Sequence, residues 1–311
     1  MKDKLLLSHA PHISGKGSVP AIMYIVIAAL MPATAMGIYF FGINALILIL
    51  TCIITALITE YLMTKIMKIE NTIGDGSAAL TGLLMALIIP ASAPIFTAII
   101  GTVFAIAIVK MLFGGLGYNI FNPALAGRAF LAAAFPVIMT TWVVPFQAVT
   151  SATPLAVMKF EHVLTPLNQL FFGDIPGCIG ETSALAILIG GLFLMLVGIV
   201  NWRMPASYLG SVIIFSGILW IINPSLYPSP IFHLFSGGLM LGAFFMATDP
   251  VTTPLTSKGL WIFGIGAGIL LIVIRQWGGL PEGVMYSILF MNAFTPLINR
   301  YTRPRIFGSK I

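Results

Sequence analysis

The residues best suited by type and spacing to carry a covalent chemistry lie in the stretch Thr150-Ser151-Ala152-Thr153-Pro154-Leu155-Ala156. Small neighbours leave the Thr153 hydroxyl approachable. Pro154 disfavours helical backbone at the residue before it, so Thr153 is expected to be extended. A reachable hydroxyl on an extended segment is what a modifying enzyme requires. Loops of Ser, Thr and Pro are also common as plain connections, so the pattern alone leaves both readings open.

Ionisable residues within apolar segments are the next candidates, because burying them in a membrane is costly without a function or a partner. Glu60 is followed by Lys65 and Lys68, and an interfacial ion pair or a snorkelling side chain is its simpler reading. Asp75, in Gly74-Asp75-Gly76-Ser77, resembles a turn leading into a helix N-terminus, where a carboxylate is favoured. Asp249, in Thr248-Asp249-Pro250, sits at a helix end whose dipole opposes it, so it needs another partner and is the stronger functional candidate. A second dense motif runs from Gly114 through Asn119, Asn122 and Arg128 to Phe130. Its glycines allow a tight re-entry, and its asparagines offer donors and acceptors where backbone bonds are broken. It can line a cavity for an ion or a polar ligand, or serve as a well-capped connector, and composition leaves these even. Its Gly-x-Gly spacing follows no strand and is no nucleotide fingerprint. His9, His12, His162 and His233 show no metal spacing and no haem-type pairing. Cys52 and Cys178 form no CxxC motif, so no metal site follows from them.

The elements that position these residues follow from composition. Of 311 residues 59% are hydrophobic and 8% charged, against about 25% charged in soluble domains, which indicates an all-α polytopic membrane protein in the lipid bilayer. The net charge of +6 reads as topology signals rather than as a nucleic-acid surface. The first apolar run is already long enough to span and carries no cleavage pattern. Runs of about 17–25 apolar residues give ten spans: 19–42, 43–64, 77–94, 95–113, 128–145, 184–202, 207–224, 231–248, 259–277 and 281–299. With the N-terminus inside, thirteen basic residues, among them Lys65, Lys68, Lys110, Arg128, Arg203, Lys258 and Arg300, fall on the cytoplasmic side. Only Lys159 and Arg275 fall on the other. That bias places both termini in the cytoplasm and the Thr153 segment outside.

Ser77-Ala78-Ala79-Leu80, with Pro90 and Pro94, resembles Ser236-Gly237-Gly238-Leu239 with Pro250 and Pro254, and Gly114-Gly115-Leu116 matches Gly278-Gly279-Leu280. Each match lies five spans on, so two five-helix repeats would run in opposite directions, as in many transporter folds. Chance likeness among Gly- and Ala-rich helices is the plainer alternative. The expected organisation is a tail at 1–18, a first repeat at 19–145, an extracytoplasmic loop at 146–183, a second repeat at 184–299 and a basic tail at 300–311.

Several stretches together resemble one family of membrane flavoproteins, which comprises the RnfD component of the Rnf electron transport complex and its counterpart in the sodium-translocating NADH:quinone reductase. They are Asp75-to-Leu83, Gly114-to-Phe135, Thr150-to-Ala156, Gly180-Glu181-Thr182-Ser183, Phe245-to-Thr252, Gly278-to-Gly283, Met291-Asn292 and Arg300-to-Arg305. The chain's length favours the Rnf branch. The resemblance implies that Thr153 carries FMN as a phosphoester, with Ser151, Pro154 and Leu155 around it, installed by an extracytoplasmic flavin transferase. That enzyme's motif begins with an acidic residue six positions earlier, where this chain has Gln147. The resemblance further implies a second, non-covalent flavin (riboflavin), and partners in the other Rnf subunits, RnfA, RnfB, RnfC, RnfE and RnfG. The complex would couple electron flow between ferredoxin and NAD to Na⁺ or H⁺ translocation, with this chain acting as a relay and not as a catalyst alone. Asn119, Asn122, Arg128, Asp249 and Glu60 are the candidates for an ion or second-flavin site. A cofactor-free channel or transporter with an inverted repeat is the alternative of another class, and the quinone reductase component is the alternative within the family.

Overall fold

The computed structural model describes residues 18–147 and 149–303. Most of the expected N-terminal tail, with His9 and His12, and the end of the basic tail lie outside the described residues.

Helix α1 (Val19–Phe41) starts where Ser18 accepts a hydrogen bond from the Ala21 amide, with a proline in the first turn. It stops at Gly42, whose φ of 66° suits a residue without a Cβ, and α2 (Ile43–Met67) begins immediately after it. On α2 the large residues Ile47, Leu50, Ile54 and Ile58 are exposed, while Ala45, Cys52 and Ala56 are buried. Large apolar side chains exposed along a helix are expected when lipid, not water, surrounds it.

Helix α3 (Ser77–Leu87) is opened by Asp75, which accepts from the amide of Ser77 at 2.7 Å. It ends seven residues short of the expected span 77–94. Its last carbonyls are met by a distant segment: the amide of Gly180 donates to Leu87 and that of Ile179 to Ile89, at 2.7 and 3.2 Å, and the Cys178 thiol donates to Ile88. A helix that ends inside an apolar layer needs such partners. Helix α4 (Ile95–Met111) winds in π-type turns over Phe104–Met111. Helix α5 (Pro123–Ala134) is capped by Asn122 and stopped at Phe135-Pro136, so the span expected at 128–145 begins earlier and ends sooner. A single turn, α6 (Pro136–Met139), follows.

A two-stranded antiparallel hairpin pairs β1 (Trp142–Val143) with β2 (Thr150–Ser151) and leads into α7 (Pro154–Glu161) and α8 (Leu167–Phe172). Then come α9 (Ala184–Val197) and α10 (Arg203–Ile222), followed by α11 (Pro230–Phe235) and α12 (Leu239–Leu241). The last of these continues as π-type turns over Gly242–Met246. The span expected at 231–248 is therefore broken at Ser236–Gly238, where Gly237 has φ 65°. Helices α13 (Ser257–Trp277) and α14 (Val284–Thr302) complete the chain.

Four of these helices, α1, α2, α10 and α13, are long and apolar enough to cross a membrane, and the protein is a multi-pass membrane protein. Its closest helix contacts use small residues. Gly264 and Gly268 of α13 leave no room for a methyl beside Ser207 and Ser211 of α10, and Gly190 of α9 lies against the backbone of α1 at Ala29.

Candidate functional site

Thr153 is extended, with φ −68° and ψ 156°, and it caps α7: its Oγ1 accepts a hydrogen bond from the Ala156 amide at 3.3 Å. Pro154 takes the first helical position. The hairpin sets where this cap lies. Trp142 pairs with Ser151 and Val143 with Thr150, and the Phe146 amide donates to the Phe40 carbonyl, pinning the hairpin turn to the end of α1. Leu155 and Met158 are buried in a small apolar cluster with Leu170, Ile175 and Phe232. Lys159, one turn along α7 from Leu155, reaches carbonyls at and just beyond the C-terminal end of α13, with Arg275 O at 2.9 Å and Leu280 O at 3.1 Å. Desolvation pushes the Lys159 ammonium below the ordinary lysine value.

Half-buried Thr153 opens onto a cavity of about 430 Å³. Its walls are largely apolar, with the rings of Trp142, Phe160 and Tyr286 and the backbone of Gly279–Pro281. Two ion pairs stand at its edge. Arg128 of α5 donates to Glu181 at 3.0 Å, and Arg275 lies 3.4 Å from Glu282. Glu282 also accepts from the amides of Gly238, Gly283 and Val284, so one carboxylate joins the break before α12 to the start of α14.

Near the other end of α5 a second cavity of about 280 Å³ is enclosed by α1, α3, α5, α9 and the π-type turns after α12. Asn119, Asn122 and Asp249 line it with Lys110, among apolar residues such as Leu80, Leu84, Phe244 and Phe245. Asn122 both caps α5, accepting from the Leu125 amide, and donates to the Met246 carbonyl at 3.3 Å. The motif from Gly114 is thus a capped connector and a cavity wall at once. Half-buried Asp249 accepts from the Val251 amide and the Thr252 hydroxyl, at 3.2 and 3.1 Å. Burial pushes its carboxyl upward, and these two bonds offset part of that rise.

The five residues considered together from the sequence therefore separate. Asn119, Asn122 and Asp249 share the second cavity. Glu60 stands behind it, fully buried, accepting from Lys110 at 2.6 Å and from the Thr72 hydroxyl. Its partner is Lys110, 50 residues away, and not the neighbouring Lys65 or Lys68. Arg128 lies on the Thr153 cavity. Counted from the sequence among the cytoplasmic basic residues, it is instead a buried partner of Glu181, and Lys110 likewise serves as a partner inside the protein. Glu181, Glu282 and Lys159 are functional candidates that sequence reasoning does not single out. The signal for Glu181 is its place in Gly180-Glu181-Thr182-Ser183, an acidic residue entering an apolar run.

A family model described as the NQR2, RnfD, RnfE family matches residues 6–308. The RnfD-type component of the Na(+)-translocating ferredoxin:NAD(+) oxidoreductase complex of Acetobacterium woodii is 48% identical over 98% of this chain and 95% of its own length. The counterpart from the proton-translocating ferredoxin:NAD(+) oxidoreductase complex of Clostridium ljungdahlii is 45% identical over 99% and 98%. That from the ion-translocating oxidoreductase complex of Cronobacter sakazakii is 37% identical over 98% and 99%. With likeness of this extent along both chains, the protein belongs to the NQR2, RnfD, RnfE family.

Proposed function

We propose that this chain is the RnfD-type membrane flavoprotein of an ion-translocating ferredoxin:NAD oxidoreductase complex, that it bears FMN on Thr153 through a phosphoester, and that it does not catalyse the reaction alone. The observation that carries this reading is the Thr153 hydroxyl opening onto a cavity of about 430 Å³, within the usual range of ligand sites. The residues present fit the group. Thr153 caps the N-terminus of α7, and helix N-termini favour anions such as the phosphate of a phosphoester on that hydroxyl. Trp142, Phe160 and Tyr286 supply aromatic faces for a planar ring, and Arg128 supplies a cation held by Glu181. Flavin accepts one or two electrons, while the protein orients it and tunes its potential.

For a second flavin, riboflavin, the candidate site is the cavity of about 280 Å³, where Asn119 and Asn122 offer amide donors and acceptors in an apolar frame. For the ion, Na⁺ or H⁺, Asp249 is the better candidate than Glu60, because Lys110 already neutralises Glu60. The partners are the other Rnf subunits and an extracytoplasmic flavin transferase, which requires the Thr153 loop outside and both termini in the cytoplasm.

The ten-span, inverted-repeat architecture belongs to the same proposal. It pairs α1–α5 with α9, α10, α12, α13 and α14. A shared chemistry supports it: each fourth helix carries a buried cation that reaches a serine of the third span, Ser77 at the start of α3 and Ser236 at the break before α12. Lys110 of α4 donates to the Ser77 hydroxyl at 2.6 Å, and Arg275 of α13 to the Ser236 carbonyl at 2.9 Å. Each cation also has a carboxylate partner, Glu60 or Glu282.

The test is in-gel fluorescence of the denatured protein after coexpression with a flavin transferase. The wild type should keep a fluorescent band and an intact mass increased by FMN, and Thr153→Val should lose both. A dark wild-type band without added mass would refute the reading and favour a cofactor-free transporter.

A further inference from the structure

We propose that Lys159 is the positioning residue that holds the Thr153-bearing helix in register with the opposite wall of its cavity. The inference rests on the reading that Thr153 carries a flavin. Lys159 follows Thr153 by six residues on α7, about 9 Å along a helix. Its ammonium lies within hydrogen-bond reach of four carbonyls, those of Ile274, Arg275, Gly278 and Leu280. An ammonium has three protons, so it satisfies three of the four at a time. These carbonyls belong to the end of α13 and the turn beyond it, where the helix leaves acceptors unpaired and its dipole favours a cation.

The geometry gives the bond a use beyond capping. Gly279, Leu280 and Pro281 form one wall of the Thr153 cavity, and Thr153 to Ala156 form another. Lys159 ties these two walls together. Otherwise α7 is held by Leu155 and Met158 in their small cluster, with Phe160 exposed. Removing the ammonium leaves the apolar contacts and frees the helix to shift against the Gly279–Pro281 wall. An attached planar group would then lose its fixed orientation and its set distance from the next redox centre.

The experiment uses the full chain, coexpressed with a flavin transferase, purified in detergent, and then assembled in the complex. In-gel fluorescence of the denatured protein comes first: a dark wild-type band means that the underlying reading has failed, whatever Lys159 does. With a loaded wild type, Lys159→Met is expected to keep its covalent flavin. In the native protein that flavin should show a faster nanosecond decay of fluorescence anisotropy, and ferredoxin-dependent NAD reduction by the complex should fall below that of the wild type. Lys159→Arg, which keeps charge and donors, should restore most of both. A loaded Lys159→Met with wild-type anisotropy and turnover overturns the proposal. So does a well-inserted Lys159→Met that is no longer loaded, since Lys159 would then act in recognition by the transferase. If Lys159→Met fails to insert, Lys159→Gln, which keeps one donor group, is read by the same two measurements and the same criteria.

Discussion

Replacing Glu181 by glutamine keeps the side chain's shape and removes the negative charge that balances Arg128 at the cavity. A cavity of about 430 Å³ is roughly 9 Å across, so a group within it lies within ~9 Å of the 181 carboxylate. At an effective dielectric constant of ~20, a unit charge at that separation is worth about 2 kcal/mol. For a one-electron couple this is about 80 mV, and for a two-electron couple about 40 mV. Loss of a negative charge favours the reduced, more electron-rich flavin, so the shift is toward positive potential. The assay is a spectroelectrochemical titration of the covalently loaded full chain at fixed pH. Arg128→Gln should move the potential the opposite way, and the double variant should return near the wild type. An unchanged potential in a loaded Glu181→Gln protein, or a shift to negative values, would refute the placement of the flavin beside this ion pair.

Two other predictions concern the second cavity and its surroundings. Lys110→Met leaves Glu60 buried without its cation and should cost about 3–5 kcal/mol, whereas Lys110→Met combined with Glu60→Gln should recover much of the loss. Fluorescence-detected thermal stability in detergent measures both, and a double variant no better than the worse single one would argue against a direct pair. Asp249→Asn should lower ion-coupled turnover several-fold with flavin loading intact, and unchanged Na⁺ or H⁺ transport in vesicles would remove Asp249 from the ion path.

The membrane class is legible because it depends on composition, and apolar length alone places spans at 19–42 and 43–64, close to Val19–Phe41 and Ile43–Met67. The extended backbone at Thr153 is legible because Pro154 acts locally. What local reasoning misses are the endings supplied from afar. Leu87 ends α3 because Gly180, 93 residues later, brings it an amide, and no window of sequence around Leu87 records that. For the same reason sequence proximity matches Glu60 to Lys65 and Lys68, when the packing of α2 on α4 delivers Lys110. Counting makes Arg128 a topology signal because it assigns each cation to a side, whereas a cation facing a carboxylate inside the protein reports no side.

Helix α5 has one further consequence. Ala124 lines one cavity and Arg128 the other, so about 6 Å of helix rise separates them. Between them the helix presents the buried residues Leu125 and Gly127. Such a partition discriminates by the kind of particle. An electron needs only proximity, whereas an ion must be dehydrated and find oxygen ligands, which a wall of leucine does not supply. Under the proposed function, α5 would act as a selective septum that electrons cross and cations do not.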